Sequence, residues 1–183
     1  MDNLVSLREI YEQHKHGCDK GTAHSYIDVY EDLLKPFRVG ASVLEIGLWK
    51  GYSLRMWEDY FVDSWVGGID ISDKYLKPMM HSHHVVILDA TDESAVAKVF
   101  GGRTFSVIID DGSHALQDQV KTYSIFKKYL CKDSIYVIED IARIARHAKY
   151  FLALDPTKTI QILDRRTLKG RRDDVMVILK GTK

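Results

Sequence analysis

Residues 42–51 read Ser-Val-Leu-Glu-Ile-Gly-Leu-Trp-Lys-Gly, and this stretch decides the fold. Five residues of strand character lead directly into a turn that has glycine at positions 47 and 51. A buried strand, a glycine turn and a following helix form the unit from which doubly wound parallel sheets are built. Glycine allows the sharp turn and lets a ligand approach the backbone closely. The stretch therefore predicts the first strand of such a sheet, with a ligand site at its carboxyl end.

The alternation of β-branched runs with helical patterns continues along the chain. Further parallel strands are predicted at 65–71, 85–88, 105–109 and 135–138. Two later runs, 159–163 and 175–179, are joined by a charged turn and predict an antiparallel pair at the sheet edge. The expected fold is thus α/β: a doubly wound, mostly parallel seven-stranded sheet, Rossmann-like, with helices on both faces and a C-terminal antiparallel strand pair. This is the plan of a class I methyltransferase.

The length of 183 residues argues for a single domain, 1–183. We expect 42–183 to form the Rossmann-like core. Residues 1–38 precede the first strand and are expected to cover the cofactor site with two helices, at 4–14 and 26–34.

The composition restricts the class of partner. Lys plus Arg number 26 and Asp plus Glu number 26, so the net formal charge is 0 and no overall field attracts nucleic acid or anionic membrane. No apolar run approaches the roughly 18 residues of a membrane helix. Two cysteines and a charged N-terminus without a signal peptide favour a reducing compartment. We expect a cytoplasmic protein that acts on a small molecule, without a membrane or nucleic-acid partner, and a homo-oligomer is left open.

Three strand ends carry residues suited to an adenosine-containing ligand. The first end has the pattern E-x-G-x-x-x-G, formed by Glu45, Gly47 and Gly51. Asp70 ends the second strand about twenty residues later, where a carboxylate can accept both hydroxyl protons of a ribose. Asp89 follows the third strand and either meets an adenine amine or caps a helix. NAD and S-adenosylmethionine both fit, but Trp49 in place of the second glycine of G-x-G-x-x-G favours S-adenosylmethionine.

Acidic pairs end the next two strands. Asp110 and Asp111 follow the fourth strand, and Glu139 and Asp140 follow the fifth. Neighbouring strands lie about 4.8 Å apart, so the four carboxylates can converge. Converging carboxylates repel one another unless a cation lies among them, and oxygen ligands favour Mg²⁺, with Mn²⁺ and Ca²⁺ as alternatives. The structural alternative makes the three aspartates helix caps and Glu139 a surface ion-pair partner.

His114 is the best candidate for a general base among the eight histidines, because it lies three residues after Asp111. A purely structural role at a helix start is the alternative. His81, His83 and His84 form a second group, but their spacing is poor and no cysteine lies nearby. We therefore expect a solvated loop there rather than a zinc site.

Five segments together resemble the metal-dependent sugar O-methyltransferases of macrolide biosynthesis. They are Gly-Cys-Asp-Lys-Gly at 17–21, Val-Leu-Glu-Ile-Gly at 43–47, Gly-Ile-Asp-Ile at 68–71, Ile-Asp-Asp-Gly-Ser-His at 109–114 and Val-Ile-Glu-Asp at 137–140. The resemblance covers roughly 17–180. Its most specific part is the combination of Asp-Asp-Gly-Ser-His with Glu-Asp.

The resemblance implies a role for each matching residue. It implies that Asp111, Glu139 and Asp140 hold Mg²⁺ and that His114 is the base, so His114 and Asp111 are the expected catalytic residues. Contacts with S-adenosylmethionine are expected from Lys20, Glu45, Gly47, Gly51, Asp70, Asp89 and Asp110.

The sequence therefore predicts an S-adenosylmethionine-dependent, Mg²⁺-dependent O-methyltransferase that acts on a hydroxyl of a sugar or other small polyol. Alternatives are a nucleic-acid or nucleotide-sugar methyltransferase and a non-catalytic module that binds S-adenosylmethionine. The fifth strand ends in Glu139, where ribose methyltransferases that resemble heat-shock RNA enzymes have a lysine, and this argues against nucleic acid.

A basic turn spans residues 165–172 and contains five cations, Arg165, Arg166, Lys169, Arg171 and Arg172. One interpretation is a solvated hairpin tip balanced by the two aspartates that follow. The other is a clamp for a phosphate on the acceptor, because arginine forks match phosphate oxygens.

Overall fold

The computed structural model describes residues 4–76 and 84–181, which form one seven-stranded sheet with helices on both faces. The strands are β1 (Ser42–Ile46), β2 (Trp65–Asp70), β3 (His84–Ile87), β4 (Phe105–Asp110), β5 (Leu130–Ile138), β6 (Lys158–Asp164) and β7 (Val175–Gly181). Their order is β3-β2-β1-β4-β5-β7-β6, and β7 runs antiparallel to both of its neighbours. The predicted doubly wound sheet with its C-terminal antiparallel pair is confirmed.

Seven α-helices are found among the described residues: α1 (Leu7–His14), α2 (Ile27–Leu34), α3 (Tyr52–Tyr60), α4 (Glu93–Phe100), α5 (Leu116–Phe126), α6 (Ile144–Leu152) and α7 (Arg166–Lys169). α1 begins at a capping box in which Ser6 and Glu9 satisfy each other's backbone N–H groups. α6 and α7 are additions to the expected pattern. None of the helices in the described part of the chain has the length and hydrophobicity needed to cross a bilayer.

The sheet separates two apolar layers, as expected for a parallel sheet that is covered on both faces. The layer on one face includes buried side chains of α1, α2 and α3, namely Leu7, Tyr30 and Trp57. The layer on the other face includes buried side chains of α4, α5 and α6, namely Phe100, Phe126 and Phe151. Both predicted N-terminal helices therefore pack on the first face.

Of the three histidines predicted to lie in a polar loop, the structure describes His84. His84 opens β3 and its ring stacks on Trp65 at 5.2 Å, so it belongs to the sheet and not to a loop. His81 and His83 lie outside the described residues.

β1 and β4 are parallel neighbours at the centre of the sheet, and the strand order changes direction between them: β2 and β3 lie on one side, β5 and the later strands on the other. Backbone hydrogen bonds join the carboxyl ends of β1, β4 and β5. Asp111 N donates to Ile46 O at 2.8 Å, and Glu139 N donates to Asp110 O at 2.9 Å. The two acidic pairs thus start from a fixed backbone at one edge of the sheet, where ligands of such folds bind.

Gly47 is required by the close approach of two loops at this edge. Its backbone is left-handed, with φ of +86°, and a Cβ atom there would overlap the carbonyl oxygen of Asp111. Gly102 offers a comparison, because its φ is +88° but a Cβ atom would meet nothing within 4 Å. The two glycines therefore share the same conformational demand and differ only in the space around them.

We predict that Gly102→Ala lowers the free energy of unfolding by about 1–2 kcal/mol, the cost of a left-handed alanine. Gly47→Ala is expected to lower the free energy of unfolding by clearly more, since the added methyl group must also displace the Asp111 backbone. Urea unfolding of both variants measures the difference. Equal stability of the two variants would contradict the close approach of the loops.

Candidate active site

A cavity of about 700 Å³ opens at the carboxyl ends of the parallel strands. This volume lies within the range of small-molecule sites in proteins. Five of the predicted cofactor residues line it: Lys20, Gly47, Asp70, Asp89 and Asp110. Three of the predicted metal and catalytic residues line it as well: Asp111, His114 and Asp140.

Asp70 organises the turn after β1. Its Oδ2 accepts hydrogen bonds from the backbone N–H groups of Leu48 at 2.8 Å and Trp49 at 3.0 Å. Its Oδ1 accepts from the N–H of Ser72 at 2.9 Å. The carboxylate therefore holds two neighbouring strand ends together at the cavity wall, and its predicted contact with a ribose stays a prediction.

Asp89 stabilises the turn after β3. Its Oδ1 accepts from both the N–H and the hydroxyl of Thr91 at 2.8 Å, and these bonds lower the pKa of the carboxyl group. The N-cap of α4 is Asp92, whose side chain accepts from Ser94 N and Ala95 N. The helix-cap alternative for Asp89 is therefore wrong, and its carboxylate lies at the cavity.

Glu45 and Gly51 are not among the residues that line the cavity, and their direct contact with the cofactor stays a prediction. Glu45 is fully buried and accepts from Ser53 Oγ at 3.0 Å and Trp57 Nε1 at 3.2 Å, so it anchors α3 behind the wall. Burial raises the pKa of Glu45 to about 7. Gly51 has a φ of +75° and forms the N-cap of α3. Both residues shape the turn that the ligand would touch.

Lys20 lies at the centre of a buried ion-pair network. Its Nζ is 2.7 Å from Asp111 Oδ2 and 2.8 Å from Glu139 Oε2, and it lies 3.6 Å from Glu45 Oε1. Only 1% of the residue is exposed. Burial by itself lowers the pKa of Lys20, but the attraction of Asp111, Glu139 and Glu45 outweighs burial and raises the pKa well above its usual value. Lys20 is therefore a buried ammonium ion whose main partners are carboxylates.

Glu139 is directed into this network. Its Oε2 accepts from Lys20 and its Oε1 accepts from the hydroxyl of Tyr30. Burial raises the pKa of Glu139 well above its usual value, although Lys20 opposes the shift. The alternative of a surface ion pair is wrong, because Glu139 is buried. Its predicted role as a metal ligand stays a prediction, since both of its oxygens already accept hydrogen bonds.

Asp111, His114 and Asp140 form a cluster beside the network. One ligand atom from each of the three side chains lies within 4.8 Å of the other two. His114 Nε2 is 4.0 Å from Asp140 Oδ2, and half of the His114 side chain is exposed. Burial and the charge of Asp111 raise the pKa of Asp140 to about 7, although the hydrogen bond from Tyr26 and the charge of Lys20 oppose the shift.

Helix capping does not explain the acidic pairs. The N-cap of α5 is Ala115 and that of α6 is Arg143, so none of Asp110, Asp111 and Asp140 caps a helix. Asp110 is buried and accepts from the hydroxyl of Tyr136 at 2.9 Å, and burial raises the pKa of Asp110 to about 7.

Two tyrosines and a histidine belong to the site but were not predicted. The hydroxyl of Tyr26 donates to Asp140 Oδ1 at 2.9 Å, and Tyr30 donates to Glu139. The buried ring of His24 stacks on Tyr26 at 4.8 Å and places Nδ1 3.2 Å from Asp140 Oδ1. The four-residue spacing of the two tyrosines, in a helix expected to cover the site, was the available signal, because buried tyrosines seek a polar partner.

The basic turn at 165–172 is not a simple solvated tip. Arg166 pairs with Asp164 on the surface, whereas Arg171 pairs with Asp173 at 2.8 Å and lines the cavity. Lys169 and Arg165 instead bond to the segment 21–25 near the N-terminus. Of the five cations in the turn, only Arg171 lines the cavity and is in position to meet a ligand there.

Comparisons with known proteins place this geometry in context. No protein-family model matches the chain. It is 36% identical over 141 residues to 8-demethyl-8-alpha-L-rhamnosyl tetracenomycin-C 2'-O-methyltransferase of Streptomyces olivaceus, a match that covers 69% of this chain and 36% of the relative. It is 33% identical over 130 residues to L-olivosyl-oleandolide 3-O-methyltransferase of Streptomyces antibioticus, covering 66% and 33%. The chain thus spans about a third of the length of these curated relatives.

Solved structures share the fold. MycE methyltransferase from the mycinamycin biosynthetic pathway, solved with Mg, SAH and mycinamycin VI, matches with a TM-score of 0.78 at 20% identity over 99% of this chain and 56% of that chain. An rRNA methylase from Streptococcus thermophilus matches with a TM-score of 0.67 at 11% identity, over 86% and 96%.

The sheet order and these neighbours define the class I methyltransferase fold. Within that class, the sequence resembles the sugar O-methyltransferases of macrolide and polyketide biosynthesis, as the motifs at 109–114 and 137–140 predicted.

We predict that Lys20→Met is strongly destabilised in the presence of EDTA. Removing one partner of a buried ion pair leaves an uncompensated charge, which costs roughly 3–5 kcal/mol. Thermal melts compare the variant with wild type, and Lys98→Met, an exposed lysine on α4, is the control. If Lys20→Met has the same melting temperature as Lys98→Met, the network contributes nothing to stability.

Proposed function

We propose that this chain is an S-adenosylmethionine-dependent O-methyltransferase that requires a divalent cation and acts on a hydroxyl of a sugar or a similar small polyol. The observation that carries this proposal is the cluster of Asp111, His114 and Asp140 at the wall of the same cavity as Asp70 and Asp89. A cofactor and an acceptor hydroxyl could therefore meet in one site.

The comparisons support the chemistry of the acceptor. The two relatives described above are named for methylation of a sugar hydroxyl, on a rhamnosyl and an olivosyl group. The neighbouring structure MycE was solved with Mg and SAH. Because the chain spans about a third of its relatives, the acceptor is proposed by class and not by name.

The cavity offers suitable partners for S-adenosylmethionine. Asp70, the last residue of β2, is the proposed acceptor for the ribose hydroxyls, and Asp89, two residues after β3, is the proposed partner on the adenine side. The left-handed backbone at Gly47 keeps the floor of the turn free of a side chain. Lys20 and Asp110 lie on the same wall, closer to the acidic cluster.

The acidic cluster fits a divalent cation. Asp111 and Asp140 provide two carboxylates at the cavity, and their oxygens lie within 4.8 Å of each other and of a His114 nitrogen. Oxygen ligands favour Mg²⁺, or Mn²⁺ and Ca²⁺. When bound, the cation would increase the acidity of an acceptor hydroxyl, and the cofactor would supply the methyl group. Glu139 is the proposed third ligand and is linked to Asp111 through Lys20.

His114 is the proposed general base. Its ring is half exposed at the cavity and lies beside Asp140, so it can take a proton from a substrate oxygen and be stabilised as an imidazolium. The same geometry also permits His114 to be a metal ligand, since its nitrogen belongs to the cluster. The two roles make different predictions.

The competing functions are less well supported. A non-catalytic module that only binds S-adenosylmethionine has no need for an acidic cluster beside a half-exposed histidine. A nucleic-acid substrate would favour a basic surface at the cavity, but the described wall carries Asp70, Asp89 and the acidic cluster with few cations. The likeness to an rRNA methylase concerns the fold.

We predict that Asp111→Asn and Asp140→Asn weaken Mg²⁺ binding at least tenfold while binding of S-adenosylhomocysteine changes little, because the nucleoside part of the cofactor meets other strand ends. Asp133→Asn, an exposed carboxylate on β5, is the control. Isothermal titration calorimetry measures both affinities. EDTA should abolish methyl transfer to a rhamnosyl acceptor, and full transfer in excess EDTA would refute the metal requirement.

We predict that His114→Ala lowers kcat by about 10²–10⁴-fold, the usual contribution of a positioned base. If His114 is the base, Mg²⁺ affinity stays near that of wild type; a parallel loss of Mg²⁺ affinity would identify a metal ligand instead. His147→Ala on α6 is the matched control, since that histidine lies outside the cavity lining. Normal kcat in His114→Ala would remove the residue from the mechanism.

A further inference from the structure

We propose that Lys169, on the surface connection between β6 and β7, is a positioning residue that sets the geometry of the acidic cluster through the segment 17–26. The inference rests on the proposed function, because it requires that the cluster binds a divalent cation. Lys169 does not line the cavity, so it acts on the reaction only through other residues.

The ammonium group of Lys169 is bound by three backbone carbonyls of one short segment. Its Nζ donates to the carbonyl oxygens of Gly21, Thr22 at 2.9 Å and His24 at 2.6 Å. A lysine ammonium has three hydrogens, so this arrangement uses all of its donors. Three carbonyls that point to one cation fix the path of the chain from 21 to 24.

A second set of bonds holds the next residue of the same segment. The N–H and hydroxyl of Ser25 donate to the buried carboxylate of Asp174, at 3.1 and 2.7 Å. Arg165 Nε donates to Ser25 Oγ at 3.1 Å. The β6–β7 connection therefore holds residues 21–25 at two points. Lys169 binds the carbonyls of 21–24, and Arg165 and Asp174 bind Ser25.

Residues 21–25 lie in the sequence between two residues whose side chains contact the carboxylates at the strand ends. Lys20 precedes them and bonds to Asp111 and Glu139, and Tyr26 follows them and donates to Asp140. Backbone bonds inside the segment link its ends, since Tyr26 N donates to Lys20 O at 2.8 Å. A change in the path of 21–25 must therefore shift Lys20, Tyr26 or both.

Loss of the Lys169 charge should change the geometry of the acidic cluster without much change in the stability of the whole protein. Lys169 is an exposed residue, and exposed charge interactions usually contribute little to the free energy of unfolding. Residues that orient metal ligands from outside the ligand set can change metal affinity about 10–100-fold. Loss of the ammonium is therefore expected to affect the cluster much more than the melting temperature.

The test compares Lys169→Met with Lys169→Arg. Methionine keeps the approximate length of the side chain but removes the charge. Lys98→Met is the control. We expect Lys169→Met to weaken Mg²⁺ binding about tenfold and to lower kcat, with binding of S-adenosylhomocysteine and the melting temperature near wild type. Lys169→Arg should restore part of the Mg²⁺ affinity, because guanidinium can still donate to the carbonyls. Hydrogen exchange of the His24 and Tyr26 amides should be faster in Lys169→Met.

The outcomes are distinguishable. If wild type binds Mg²⁺ and Lys169→Met binds it equally well, the positioning role is refuted and the proposed function stands. If Lys169→Met loses cofactor affinity and thermal stability in proportion to Mg²⁺ affinity, Lys169 is only structural and the inference fails. If wild type itself binds no divalent cation, the proposed function fails and the inference fails with it.

Discussion

The structure depends on one buried cation. Lys20 reaches Asp111 and Glu139, which follow two neighbouring strands, and it lies near Glu45 on a third. Carboxylates at the ends of adjacent parallel strands are brought together by the sheet itself, and their repulsion in a poorly solvated place must be compensated. The protein compensates it with a side chain from outside the sheet. The N-terminal segment therefore has to dock before the edge of the sheet is electrostatically stable.

That requirement explains several features around the site. The segment that carries Lys20 packs tightly, since a Cβ atom on Gly21 would collide with the ring of Tyr11. Tyr26 and Tyr30 donate to the two acids that follow β5, so α2 contributes hydrogen bonds as well as apolar contacts. Asp140 adopts a left-handed backbone with φ of +56°, a conformation that a non-glycine residue keeps only where its surroundings hold it.

The sequence predicted the sheet and the edge at which the site lies, because both are encoded locally. Strand-length apolar runs end in glycine or acid, and parallel topology then collects those ends on one edge. The orientation of individual side chains was harder to predict. Glu45 belongs to the glycine motif but turns towards Trp57, and the contact of Lys169 with Gly21 joins residues separated by 148 positions. No periodicity encodes such a contact, which depends on how the β6–β7 connection folds back over the N-terminal segment.

The position of Lys20 also determines where the remaining negative charge lies. Its ammonium bonds to Asp111 and Glu139, while among the described residues Asp140 receives a hydrogen bond from the neutral hydroxyl of Tyr26 and lies near the rings of His24 and His114. Of the three acids proposed as metal ligands, Asp140 is therefore the one without a direct bond to the ammonium, and it lies at the cavity beside Asp111 and His114. Under the proposed function, a small cation would complete the neutralisation at that point, because Lys20 bonds to Asp111 and Glu139 but acts on Asp140 only through its charge. The ammonium that stabilises the strand ends would then also determine where a second, exchangeable positive charge is favoured.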